Sequence, residues 1–344
     1  EGVQEVSNGS FSQEGAEELA NSDFTNGLTI WNGGTGNTVV NNQLIANSTG
    51  LFYQSLGLTA NKTYKAVINI ESISQGGVKF YCQGNQSAAI TTSGVHTIYI
   101  VSGSSNGLVG INPIGTFEAV VNSISFREVG QDWILGTGWS IGDDKAINDG
   151  TINQSLLQTN VFTIGKFYKI NFTISDVVGS LDARIWMATG GAKIEANANG
   201  EYTTYWKADG TSLYTTTLST NTATYSITNI SVKEVGQDWV LGTGWSIGED
   251  KAISVNGGNY VTYQPALTSG KKYKISYEVK DYVSGSFSVR ANAVSGALVS
   301  ANGVYTDYLT SDGIQLYLMG GGNFNGSITN ISVLEITDDT NLPR

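Results

Sequence analysis

Charge, sulfur and imidazole are all scarce in this 344-residue chain. Only 14% of its residues are Asp, Glu, Lys or Arg, against roughly 25% in ordinary soluble domains. One histidine, His96, and one cysteine, Cys82, are present. That supply excludes most metal-centre and nucleophile chemistries and any intrachain disulfide framework. His96 lies in the alternating run Val95-His96-Thr97-Ile98-Tyr99-Ile100 and is expected as an ordinary strand residue, and Cys82 as a buried free thiol. Only three prolines punctuate the chain. No apolar run approaches the ~18 residues of a membrane span. The 18 basic residues are outnumbered by 29 acidic ones, giving a formal net charge of -11, and they form no cluster. The electrostatic footprint of a nucleic-acid binder is therefore missing, and neither nucleic acid nor membrane insertion is expected.

The missing charge is replaced by Ser, Thr, Asn and 43 glycines, while aromatics remain at 10% with 17 tyrosines. A chain so rich in Tyr, Trp, Ile and Val can bury a core, so disorder is not expected. Internal repetition organises it. Residues 128–147 read EVGQDWILGTGWSIGDDKAI and residues 234–253 read EVGQDWVLGTGWSIGEDKAI. A diverged copy begins at Asp23-Phe24, with Trp31 placed against Trp139 and Trp245. A spacing near one hundred residues matches an autonomous domain rather than a solenoid repeat. Within each unit the period is two: Tyr168, Ile170, Phe172 and Ile174 alternate with Lys169, Asn171 and Thr173, and Tyr273, Ile275, Tyr277 and Val279 repeat the pattern. Such alternation puts one face on a core and one in water, as in antiparallel sheets. Short strands bounded by Gly, Asn, Asp and Ser predict an all-β protein of three tandem antiparallel β-sandwiches.

The boundaries expected are residues 19–130, 131–236 and 237–337, with residues 1–18 resembling the last strand of a preceding repeat and 338–344 a linker. The chain opens on Glu1 without a Met or an apolar leader, so a processed protein or a piece of a longer one is expected. The retained indoles Trp133/Trp139 and Trp239/Trp245 are read as core residues rather than sugar platforms. The paired acids Asp143-Asp144 and Glu249-Asp250 are read as solvated turns, since adjacent carboxylates point apart.

Together, the Asp-Trp-x-Leu-Gly-Thr-Gly-Trp-Ser-Ile-Gly-x-Asp-Lys-Ala element, the Gly-Lys-x-Tyr-Lys-Ile strand openings at 165–170 and 270–275, and the closing Ile-Thr-Asn-Ile-Ser-Val at 227–232 and 328–333 resemble tandem carbohydrate-binding-module-like, galactose-binding-like jelly rolls. Such domains occur in fibre and virion proteins of tailed phages and in bacterial surface proteins. The resemblance spans residues 19–337 and implies the jelly-roll fold; it leaves the ligand open. It also implies a structural calcium, for which Asp132 and Asp238 are the candidate carboxylates.

Sugar binding needs aromatic faces flanked by hydrogen-bonding groups. The candidates are the aromatics that the repeat does not retain: Trp186, Tyr202, Tyr205, Trp206 and Tyr214 with Arg184, and Tyr260, Tyr263, Tyr305, Tyr308 and Tyr317 with Arg290. Arg184 and Trp186 share a strand face by alternation. The functional expectation is a non-catalytic, homo-oligomeric protein of the virion surface or extracellular space, a phage fibre or capsid decoration. Its partners would be other virion proteins and host-surface glycans, held by many weak sites. Two alternatives are an architectural spacer without ligand and the accessory glycan-binding region of a secreted bacterial protein.

Overall fold

The computed structural model describes residues 1–151, 154–180, 183–187, 194–217, 223–257 and 261–337. Every strand pairing in it is antiparallel, and the described residues contain no helix. Three cores follow one another along the chain, and we call the sandwiches around them units 1, 2 and 3.

Unit 2 is built of two five-stranded sheets. In one, strands Trp139–Gly142, Lys145–Asn148, Thr224–Val235, Phe167–Val178 and Gly200–Lys207 lie side by side in that order. In the other the order is Ile134–Leu135, Ser155–Gln158, Leu213–Thr217, Ala183–Met187 and Ile194–Ala196. The inward residues named by the period-two pattern, Tyr168, Ile170, Phe172 and Ile174, meet Leu156 and Leu213 of the facing sheet in one buried core. In units 1 and 3 a long strand pair serves both layers: Thr63–Cys82 with Leu108–Val129, and Lys272–Ala291 with Gln315–Glu335. The register of the unit 3 pair shifts between Lys280 and Ser286, where the strands change layer. Gly285 sits at that corner with φ +82, and a Cβ there would stand 2.6 Å from the Phe324 backbone, so only glycine fits.

The acidic dipeptides are hairpin turns. Gly142 pairs with Lys145 and Gly248 with Lys251, leaving Asp143-Asp144 and Glu249-Asp250 as two-residue loops with every φ positive. Unit 1 does the same with Asn41-Asn42. This is the mirror-image turn whose twist matches the strands. Each acidic turn rests on the preceding unit: a Cβ at Gly142 would lie 3.7 Å from the Tyr99 ring, and one at Gly248 3.6 Å from the Tyr205 ring.

Residues 1–18 pair with edge strands of units 1 and 2. Residues 1–24 carry two edge straps with one sequence pattern, Glu1-Gly2-Val3-Gln4-Glu5-Val6-Ser7-Asn8-Gly9-Ser10-Phe11 and Glu14-Gly15-Ala16-Glu17-Glu18-Leu19-Ala20-Asn21-Ser22-Asp23-Phe24. The second strap lies along the closing strand of unit 1: Glu18 N–H donates to the Phe126 carbonyl (2.9 Å) and Ile124 N–H to that of Ser22 (2.9 Å). The first crosses to unit 2 and repeats the pattern, with Glu5 N–H on the Val232 carbonyl (2.8 Å) and Ile230 N–H on that of Gly9 (2.9 Å). A glutamine on the facing sheet grips each strap at both backbone groups of one residue. Gln158 accepts from Ser7 N–H and donates to its carbonyl, both at 2.9 Å, and Gln54 does the same for Ala20. Val6 and Phe11 thereby join the core of unit 2, and Leu19 and Phe24 that of unit 1.

The straps also correct the alignment of Trp31. Its indole N–H donates to the Asn21 carbonyl at 3.1 Å, as that of Trp133 donates to Asn8 at 3.1 Å. Trp31 is thus the counterpart of Trp133, and Asn37, whose N–H bonds the residue three before it as those of Trp139 and Trp245 do, stands at the position of that second pair. Trp31, Trp133, Trp139 and Trp245 are buried at 7%, 3%, 6% and 5% exposure, whereas Trp239 is only half-buried.

Candidate functional site

Most of the candidate aromatics are used for packing. Trp206 is 5% exposed and points into the core of unit 2, because alternation along Gly200–Lys207 turns it inward and its neighbour Tyr205 outward. It is unavailable to a ligand. Tyr202 stacks on Phe172, with centroids 5.1 Å apart and rings 8° from parallel, and its hydroxyl donates to the Ala198 carbonyl. Tyr305 does the same in unit 3, stacking on Tyr277 and donating to the Ala301 carbonyl. Tyr205 receives the turn of unit 3 on one side and has the Lys169 ammonium 6.0 Å from its ring centre on the other. Tyr308 occupies the matching position in unit 3, opposite Lys274 as Tyr205 is opposite Lys169.

Three candidates come together. Arg290 pairs with Tyr317 on one side of the Gln315–Glu335 strand and Tyr263 pairs with Tyr317 on the other, so the three cross adjacent strands in a row. Phe287, Val289 and Ala291 fill the core, which turns Arg290 to the outer face of this sheet. The Tyr263 and Tyr317 rings are 5.8 Å apart at 56°. A cavity of about 290 Å³ opens beside them, lined by Arg290, Asn292, Ala293, Tyr317 and Met319. Its rim is fixed: Asp312 accepts from Ala293 N–H (2.9 Å) and from the Asn292 amide (3.0 Å), which, the first most, hold its carboxyl below the usual range. Arg290 Nε is buried and has no hydrogen-bond partner. A planar cationic donor beside two aromatic faces can stack a ring and bond its hydroxyls.

The same sheet position carries aromatics in the other units. In unit 1, Tyr81 and Tyr53 flank Gly110, and the Asn106 amide donates to the Tyr81 hydroxyl at 2.8 Å. In unit 2, Trp186 pairs with Tyr214, and Arg184 pairs with Thr216 two residues along. The side chains of Arg184 and Trp186, and Tyr260 and residues 338–344 entirely, lie outside the described residues. Asn292, Asp312, Tyr53 and Tyr81 were not singled out from sequence; only the strand register shows which aromatics share a face.

Asp132 and Asp238 are exposed, and among the described residues no three His, Cys, Asp or Glu converge. One carboxylate per unit does not fit calcium, which takes six to eight oxygens. Cys82 is fully buried, and burial pushes its thiol up to about 12, which leaves it inert. His96 sits on strand Gly94–Val101, its Nε2 2.8 Å from the Thr92 carbonyl oxygen.

No family model matches the chain, and no curated protein matches it. Among solved structures it is similar to the N-terminal CBM22-1–CBM22-2 tandem domain of Paenibacillus barcinonensis Xyn10C, at TM-score 0.25 and 11% identity, covering 60% of this chain and 94% of that one. It is also similar to the triple jelly-roll turret protein of an archaeal virus, at TM-score 0.22 and 12% identity over 94% and 89% of the two chains. A third likeness is to the secreted serine protease VesC of Vibrio cholerae, at TM-score 0.23 and 10% identity over 83% and 77%. Superpositions this loose carry no functional argument; the sandwich class rests on the strands and cores described above.

Proposed function

We propose that the chain is a non-catalytic structural protein of a virion surface, a phage fibre or capsid decoration, whose units bind host-surface glycans weakly and many times over. One observation carries this reading: each unit bears aromatics in the same cross-strand row of its outer sheet face, Tyr53 and Tyr81 in unit 1, Tyr214 in unit 2, Tyr263 and Tyr317 in unit 3, and in unit 3 an arginine with a buried, unpartnered Nε ends the row. Repetition of a shallow site along a tandem is how weak sugar contacts become useful avidity. The acidic surface suits a particle that must stay dispersed.

Glycan-array screening of the intact chain tests this. Binding is expected, and Tyr317→Ala and Arg290→Ala are expected to weaken it at least tenfold without lowering the melting temperature. An array with no hits, or hits indifferent to both substitutions, would overturn the glycan part. A purely architectural role is the second reading, favoured by Tyr99 and Tyr205, which are used in contacts between units.

A further inference from the structure

The strap-receiving groove of unit 3 shares the indole, the glutamine, the edge strand and one lysine of its two filled counterparts and lies open among the described residues. Its floor is Trp239, Gln264, Tyr273, Ile331, Val333 and Glu335, bounding a cavity of about 640 Å³. Trp239 corresponds to Trp133, and both bond back to the glycine three residues earlier. Ile331, Val333 and Glu335 stand where Ile230, Val232 and Glu234 stand in unit 2, with Val333 and Val232 opposite Ile275 and Ile170. Gln264 is the counterpart of Gln158. Cover makes the difference: Ile230 and Val232 are 3% and 0% exposed, whereas Ile331 and Val333 are half-buried. Among the described residues, neither the Gln264 amide nor the Trp239 indole N–H makes a hydrogen bond. Lys274 likewise has no ion pair, although its counterparts Lys169 and Lys65 hold the first strap residues Glu1 (2.6 Å) and Glu14 (2.7 Å). An apolar sheet edge with unused backbone groups is a site for strand addition.

We infer that this groove is the docking site for an extended strap segment of a neighbouring polypeptide. Its pattern would follow the two resident straps: an acid, Gly, an acid or amide three residues after the first acid, an aliphatic residue two further on, then Asn, then Phe at the eleventh position. The third-unit side chains tune this chemistry. Leu334, 59% exposed, replaces the cation that Lys233 and Arg127 provide at the strap's first residue, so one cation, Lys274, meets the leading acid. The two straps described above already fill the grooves of units 2 and 1, so filling the third with residues 1–11 of a second copy would empty that copy's unit 2.

The test is calorimetric titration of the full chain with a synthetic peptide of residues 1–13. Saturable binding at one site per chain is expected. It should weaken at least tenfold with Trp239→Ala in the chain or Phe11→Ala in the peptide, and severalfold with Gln264→Ala, which removes one surface amide and leaves the core intact. Leu334→Lys should tighten it a few-fold. No saturable binding at millimolar peptide, or binding indifferent to both Trp239→Ala and Gln264→Ala, overturns the inference. Self-association of the chain without peptide, abolished by Gln264→Ala, also overturns it in favour of a second copy. Glycan binding through Tyr317 and Arg290 is read separately, on the outer face of the other sheet, so the two readings fail independently.

Discussion

Units 2 and 3 share a nearly identical 20-residue element, yet one is closed and the other open along the same edge. In unit 2 an eleven-residue segment from the far end of the chain supplies Val6 and Phe11 to the core, and Trp133 is buried to 3%. In unit 3 the matching Trp239 is half exposed and the edge strand 331–335 has no covering strand among the described residues. The difference shows that the repeat encodes a receptor as well as a sandwich: the cover is a separate module, and its presence decides whether the same residues act as core or as surface.

Deleting residues 1–12 should have the largest effect on this comparison, converting unit 2 into a second unit 3. The loss should be at least about 4 kcal/mol, the scale of emptying one large core site, seen in calorimetry as the unit 2 transition moving down while unit 3 stays in place. Phe11→Ala should cost unit 2 about 3–4 kcal/mol by the same argument; urea melts followed by tryptophan fluorescence would measure it. Trp239→Ala in unit 3 should cost clearly less than Trp133→Ala in unit 2, because a half-exposed indole leaves a smaller cavity; equal costs would mean that the two grooves are equally covered. The smallest effect concerns acid. The Glu1 carboxyl is lowered from 4.5 to about 2 by its hydrogen bond from Lys169 first and from Lys233 second. A depressed carboxyl stabilises the docked strap above its ordinary value, so this contribution is full above pH 4.5 and disappears as pH falls toward 2. Hydrogen exchange at the Ile230 and Val232 amides should therefore accelerate over that window, and less so in Glu1→Gln.

The fold class was legible because its signal is local. The alternation at Tyr168–Ile174 and the recurrence of residues 128–147 at 234–253 both lie within a single reading window. Trp31 was misplaced because unit 1 keeps one indole of the pair, and what distinguishes the two positions is a hydrogen bond to a strap carbonyl. The straps themselves stood in plain view as two copies thirteen residues apart. Their partners lie up to 232 residues away, as in the Lys233–Glu1 contact, and nothing in a strand's own sequence names the edge it joins. The same limit applies to the candidate site. Tyr263, Tyr317 and Arg290 could be chosen as residue types, but their alignment in one row, and the inward turn of Trp206 beside an outward Tyr205, follow only from register.

The strap on unit 2 has a consequence for biosynthesis. Residues 1–11 leave the ribosome before their groove exists, because its closing strand ends at Val235. At about 5–20 residues per second, Val6 and Phe11 wait on the order of tens of seconds, while the neighbouring strap at 14–24 finds its partner as soon as residue 129 is out. The nascent chain thus carries a greasy, unpaired leader past one finished sandwich before it can lock the next, a delay in which a chaperone or a wrong edge could claim it.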